Sequence, residues 1–171
     1  MSMMRFIMGA LTLLTLSDLA TGPAHALDAP NGRVVLTVAG SIGETNTPNS
    51  TADFDLEMLD RLGAHIVETD TPWTNGVITF EGALFRELLG ALDANGDTII
   101  AKALNDYRVE IPMAEVLEYD VILATKIDGK PISVRERGPI WVIYPWNDNI
   151  ELRKEITYTR SIWQLRHLEI R

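Results

Sequence analysis

Ile140-Trp-Val-Ile-Tyr144 is an unbroken β-prone run stopped by Pro145, and similar short runs recur along the chain between turn-forming residues. Segments this brief are too short for stable helices, and bounded by Gly, Pro, Asn and Asp they fold as strands. Arg33 to Ala39, His65 to Thr71, Val77 to Phe80, Thr98 to Leu104, Tyr107 to Ile111, Val121 to Ile127 and Trp163 to Ile170 complete the predicted set. Asn105-Asp106 and Asp128-Gly129 suit tight hairpins. The last run shifts phase between Leu165 and Leu168, which predicts a bulge.

Helical spacing is confined to short stretches. Asp53 is an expected N-cap for Leu56, Leu59 and Leu62, with Gly63 closing the segment. Leu84, Leu88 and Leu92, joined by Phe85 and Leu89, form a second stripe that ends at Asp93 to Gly96. Pro112 suits the first position of a further short helix. Many short strands with two or three short helices predict a β-rich α+β domain without internal repeats.

The N-terminus reads as an address. One positive charge in Met1 to Arg5 precedes an apolar run from Phe6 to Leu16, and Ala24-His25-Ala26 has the small residues of a cleavage site. As a helix that run reaches only about 17 Å, short of a hydrocarbon core of about 30 Å. Residues 1–26 are therefore expected to be a removed signal peptide. Residues 27–171 are expected to be a single periplasmic domain with no membrane insertion after cleavage.

Charge and cysteine content exclude whole classes of chemistry. With 15 Lys and Arg against 24 Asp and Glu the net charge is -9, so nucleic acid, which is bound by surplus positive charge, is not an expected partner. The absence of cysteine removes thiolate nucleophiles, disulfides, Fe–S clusters and Cys-ligated zinc. His65 and His167 stand far apart and make no metal motif. The G-x-S-x-G elbow, H-E-x-x-H and glycine-rich phosphate loops are all missing, and Glu115, Glu118 and Asp120 read as the acidic surface of a short helix. No catalytic residue and no metal ligand is assigned.

Five landmarks follow in order: Phe80-Glu-Gly-Ala-Leu-Phe-Arg-Glu-Leu-Leu89, Asn105-Asp-Tyr107, Ile122-Leu-Ala-Thr-Lys-Ile-Asp-Gly-Lys-Pro131, Gly138-Pro-Ile-Trp-Val-Ile-Tyr-Pro-Trp146 and Arg160-Ser-Ile162. In this order they resemble the molybdopterin-binding domain of the sulfite-oxidase family, from about Phe54 to the C-terminus. The resemblance implies that family's fold, and it also marks two departures. Family enzymes bind molybdenum through a cysteine in the loop before the glycine-turn strand, whereas Thr69 to Gly76 carries Trp73 and no cysteine. Trp141 stands where an arginine is usual. Without the soft thiolate, sulfite-oxidase-type catalysis is not expected.

The pattern is similar to a cysteine-less branch of small exported proteins that bind pterins and report them to an inner-membrane protein controlling cyclic-di-GMP. That likeness implies a non-catalytic pterin receptor whose partner is the periplasmic part of a signalling protein. A molybdenum-cofactor oxidoreductase that holds its cofactor through the pterin alone, and an adaptor domain without ligand, are the alternatives.

A pterin needs an aromatic or guanidinium face to stack on and a few fixed polar groups for its edge. Trp73 either supplies that face or folds back onto the core. Asn105, Asp106 and Tyr107 offer acceptors and a phenol, with Asp106 as bidentate acceptor for an amino-pyrimidine edge; ordinary turn chemistry is the competing reading. Arg135 and Arg137 beside Gly138 suit an anion or carbonyl, or else a solvated ion-paired loop. Trp146, after Pro145, is expected to face ligand, whereas Trp141, Trp163 and Tyr144 read as core. Arg160 stands where the resemblance implies a lysine near the cofactor's phosphate tail.

Overall fold

The computed structural model describes residues 27–171 and contains two five-stranded sheets. The signal-type segment 1–26 lies outside the described residues. Strands β1 (Leu36–Gly40), β2 (Ala52–Phe54), β5 (Thr98–Ala103), β6 (Arg108–Pro112) and β10 (Leu165–Ile170) form the first sheet, in the order β2-β1-β10-β5-β6. Only the β1–β10 pairing is parallel. The second sheet holds β3 (His65–Thr69), β4 (Ile78–Leu84), β7 (Ile122–Ile127) and β8 (Lys130–Pro131) in that order, and β9 (Trp141–Ile143) also pairs with β7. A bridge between Trp141 and Trp163 ties the second sheet to the lead-in of β10.

Strand patterning follows burial. Ile99, Ala101 and Ala103 of β5 face the core, and Thr98, Ile100 and Lys102 lie on the other face. The expected bulge in the last strand is present: the β10–β5 register shifts between Leu165 and His167. The extra residue lets Leu165, Leu168 and Ile170 all reach the core despite their uneven spacing. The β7–β8 hairpin turns at Asp128-Gly129, both at positive φ (47° and 73°), as a tight turn with right-handed strands requires.

Four α-helices, one more than the largest number expected, cover the sheets: α1 (Leu56–Arg61), α2 (Phe85–Ala91), α3 (Met113–Glu118) and α4 (Glu155–Arg160). The N-cap of α1 is Asp55, two residues beyond the expected Asp53. Its Oδ1 accepts from the Met58 N–H at 2.8 Å, and its Oδ2 accepts from the Gly32 N–H at 2.7 Å, so one carboxylate starts a helix and anchors the N-terminal segment. Asp53 instead lies in β2 and accepts from Thr37 Oγ1 at 2.6 Å. Three residues carry too little periodicity for β2 to be read in advance.

Strand β4 runs past Phe80 to Leu84, which places Gly82 in its middle. A Cβ there would lie 2.0 Å from the Leu123 carbonyl, so glycine is what lets β4 and β7 pair where their register shifts. Trp141, Trp146, Tyr144, Phe54, Phe80 and Phe85 are the largest fully buried side chains of one continuous core. No helix among the described residues is long and apolar enough to cross a membrane.

Candidate functional site

Four aromatic side chains from separate parts of the chain meet beside α4. Trp73 comes from the loop after β3, Tyr107 from the β5–β6 turn, Tyr158 from α4 and Trp163 from the lead-in to β10, and together they wall a cavity of about 390 Å³. Trp73 packs edge-on against Trp163, with ring centroids 5.3 Å apart at 76°, and against Tyr158 at 6.5 Å and 89°. Trp141 backs both tryptophans, 6.0 Å from Trp73 and 6.2 Å from Trp163. Edge-to-face packing of this kind holds ring planes in place, which leaves flat apolar walls pre-formed.

The polar groups at the rim are few: the Asn105 amide, the Glu155 carboxylate and the hydroxyls of Thr159 and Ser161. Asn105 Oδ1 accepts from the Tyr107 N–H at 3.1 Å, which fixes the turn. Ser161 Oγ donates to the Val142 carbonyl at 2.7 Å and accepts from Trp141 Nε1 at 3.1 Å, so it braces the wall. Glu155 is the only charged side chain lining the cavity, and it is exposed.

A strap holds the Trp73 loop. The Arg153 guanidinium donates to Asp70 Oδ1 at 2.6 Å and Oδ2 at 3.2 Å, and to Asn147 Oδ1 at 2.5 Å. That cation holds the Asp70 carboxyl below its ordinary range, partly offset by desolvation. Thr71 adds an ST-turn, accepting from the Trp73 N–H at 3.1 Å. The loop is thus tied at its base, with Trp73 half-buried at its tip.

Of the residues singled out in the sequence, Trp73, Asn105 and Tyr107 meet at this cavity. Arg137 lies behind it, its guanidinium carbon 5.2 Å from the Trp141 ring centre and 5.6 Å from that of Trp163. The other five lie outside the cavity lining. Asp106 turns to the opposite side and pairs with Lys102 Nζ at 2.6 Å and Arg166 Nη2 at 3.2 Å. Arg135 is exposed on a 3-10 turn, Val134–Glu136, away from the cavity lining. A Cβ on Gly138 would lie 1.9 Å from the Ile132 carbonyl, so this glycine serves chain packing.

Trp146 is fully buried rather than ligand-facing, with its ring against Tyr144 and Tyr158 and its Nε1 donating to Thr157 Oγ1 at 3.3 Å. Arg160 is held by Glu115 Oε2 at 2.5 Å and the Glu110 carbonyl at 3.1 Å. The same Glu115 accepts from the Tyr144 phenol at 2.6 Å, so this acid is a tether rather than loose surface charge. Burial first, and the Glu115 hydrogen bond second, push the Tyr144 hydroxyl well above its ordinary value.

Tyr158, Trp163, Glu155, Thr159 and Ser161 were not singled out. Trp163 reads as core by strand parity, but the residue after it, Gln164, is at φ 52°, which breaks the alternation and swings the indole to the cavity. The signal that could have found the α4 residues is Glu155, Tyr158 and Thr159 falling on one helical face.

Among the described residues no group of three or more His, Cys, Asp or Glu is placed to hold a metal ion. No curated protein matches this sequence. A family model described as "Oxidoreductase molybdopterin binding domain" matches residues 48–158, a span that runs from just before β2 into α4 and includes Trp73, Tyr107 and Tyr158. With well over half of its length matched and the β-rich sulfite-oxidase-type architecture in place, the chain belongs to the oxidoreductase molybdopterin-binding domain family.

Proposed function

We propose that this protein is a non-catalytic receptor for a pterin-like heterocycle, which it binds between Trp73, Tyr107, Tyr158 and Trp163. The observation that carries the reading is the aromatic cavity itself: a pre-formed set of ring faces with a sparse polar rim suits a flat, nitrogen-rich bicycle. Glu155 supplies the acid that accepts from an amino-pyrimidine edge, the role that Asp106 cannot fill from the opposite side. Export to the periplasm through residues 1–26, and contact with the periplasmic part of an inner-membrane protein controlling cyclic-di-GMP, complete the proposal. They rest on the leader pattern and on the likeness to cysteine-less pterin receptors. Ligand alters that contact only by as much as the partner distinguishes the filled and empty states.

The donor chemistry does not fit a complete molybdenum cofactor. The chain has no thiolate to offer the metal. The cofactor's phosphate tail would meet Glu155, the cavity's one charged side chain, and Arg160 is already engaged by Glu115. A pterin without a phosphate tail has neither requirement.

Anaerobic calorimetric titration of the purified protein with a reduced pterin tests the reading, with saturable one-to-one binding as the expected result. Losing one stacking face costs about 1–3 kcal/mol, so Trp73→Ala and Trp163→Ala should weaken binding by roughly 5- to 160-fold. Arg135→Ala should leave it unchanged. Absence of binding by several pterins, or full affinity in both tryptophan variants, would sink the assignment. Stoichiometric molybdenum in protein from a cofactor-making host would favour the oxidoreductase alternative.

A further inference from the structure

The cavity beside α4 has a charge character as well as a shape. Its lining holds the rings of Trp73, Tyr107, Tyr158 and Trp163 and one charged side chain, Glu155; among the described residues no Lys, Arg or His lines it. The face of an aromatic ring is the negative part of its quadrupole, so a space walled by such rings attracts positive charge and disfavours negative charge. Trp73 stands at 76° to Trp163 and at 89° to Tyr158, so the rings are steeply inclined walls rather than parallel plates. A flat ligand lying on one wall therefore turns its rim toward the next, and that contact strengthens when the rim carries positive charge.

The acid at this cavity is open to a ligand. The Glu155 backbone carbonyl accepts from Thr159 Oγ1 at 3.0 Å, but among the described residues its carboxylate makes no ion pair and no hydrogen bond. The nearby cations are engaged or stay outside. Arg153, beside Tyr158, is paired with Asp70 at 2.6 Å, and Arg160, at the end of α4, with Glu115 at 2.5 Å. Arg137 lies against Trp141 and Trp163 without entering the lining. Lys154 is exposed and also outside it. Among the described residues no cation stacks on Trp73, Tyr107 or Tyr158, which leaves three of the four rings free to receive one.

Resting on the receptor reading above, we infer that the ligand is a cationic heterocycle: a pterin-like bicycle protonated or alkylated at a ring nitrogen, with its positive edge held by Glu155 and the rings of Trp73 and Tyr158. The carboxylate then accepts charge-assisted hydrogen bonds from the ring N–H and amino groups, which are shorter and stronger than those from a neutral edge. The aromatic walls add cation–π attraction that the neutral form of the same bicycle does not gain. An anionic form meets an uncompensated acid and is the poorest ligand of the three.

The test compares two flat bicycles of the same size, N-methylquinolinium, which carries a fixed positive charge, and 4-methylquinoline, which is neutral at mildly alkaline pH. Calorimetric titration of the whole protein should give saturable one-to-one binding of the cation, at least about tenfold tighter than the neutral bicycle and weaker as salt is raised. Glu155→Gln should reduce that preference to about twofold, and thermal melts of this exposed-site variant check that it is folded. Equal affinity for the two bicycles, or a preference that Glu155→Gln retains in full, overturns the inference. A neutral reduced pterin titrated in parallel separates this inference from the receptor reading. Its binding without any preference for the cation would leave the receptor standing and remove the inference, whereas Glu155-dependent binding of N-methylquinolinium that no pterin displaces would do the reverse.

Discussion

Trp146 and Trp163 stand beside strand ends in similar sequence surroundings, and the chain uses them in opposite ways. Trp146 is sealed between Tyr144 and Tyr158 at 5.6 and 5.2 Å, so Trp146→Ala opens a cavity and should cost about 3–5 kcal/mol in denaturant unfolding. Trp163→Ala, at a wall already open to a cavity, should lose ligand before stability. Tyr144 gives a residue-scale pH prediction. Its folded-state value lies well above the unfolded tyrosine value of about 10, so its contribution is complete below pH about 10 and drains away as pH rises further. Tyr144→Phe should flatten that alkaline decline in a series of thermal melts, at the expense of an unpaired Glu115.

At the scale of elements, close approach decides more than propensity. Gly82 lets β4 lie against the Leu123 carbonyl of β7, and Gly138 lets the Arg137 turn lie against Ile132. Alanine at either position forces the backbone apart, with an expected loss of about 1–3 kcal/mol in chemical unfolding; an unchanged midpoint would mean that the strands can shift freely. The Arg153–Asp70 strap links the Trp73 loop to the segment before α4, which carries Tyr158, so one ion pair aligns two walls of the cavity. Arg153→Ala should therefore weaken pterin binding more than it lowers the melting temperature. Equal affinity would show that the Thr71 turn orients Trp73 unaided.

For the whole molecule, titration limits stability from both sides. His167 is depressed below its ordinary value of about 6.5, chiefly by burial. Its contribution is complete above that pH and is lost as pH falls through its folded value, because the unfolded chain takes up the proton more readily. Asp70, whose carboxyl is lowered by Arg153, extends the same acid-side loss below about pH 4. Melting temperature should thus fall on both sides of a plateau from about pH 7 to 10. His167→Gln should remove the first part of the acid-side slope, and an unaltered slope would place it elsewhere.

Local sequence determined the strands whose pattern is long enough to read, their hairpin turns, the β10 bulge and the lack of any thiolate for a metal. Each is written in neighbouring residues: alternation, Asp128-Gly129, a phase slip, zero cysteines. Trp73, Asn105 and Tyr107 were legible as site candidates because a large ring or an amide in a polar turn has no local strand face to serve. Trp146, Arg160, Asp106 and Gly138 looked alike by that standard, and tertiary structure gave them packing partners at Tyr158, Glu115, Lys102 and Ile132. Short-range pattern fixes which way a side chain leaves the backbone, whereas what it meets depends on segments up to dozens of residues away. The cavity arises from such distant pairings, so only the folded chain brings it into being.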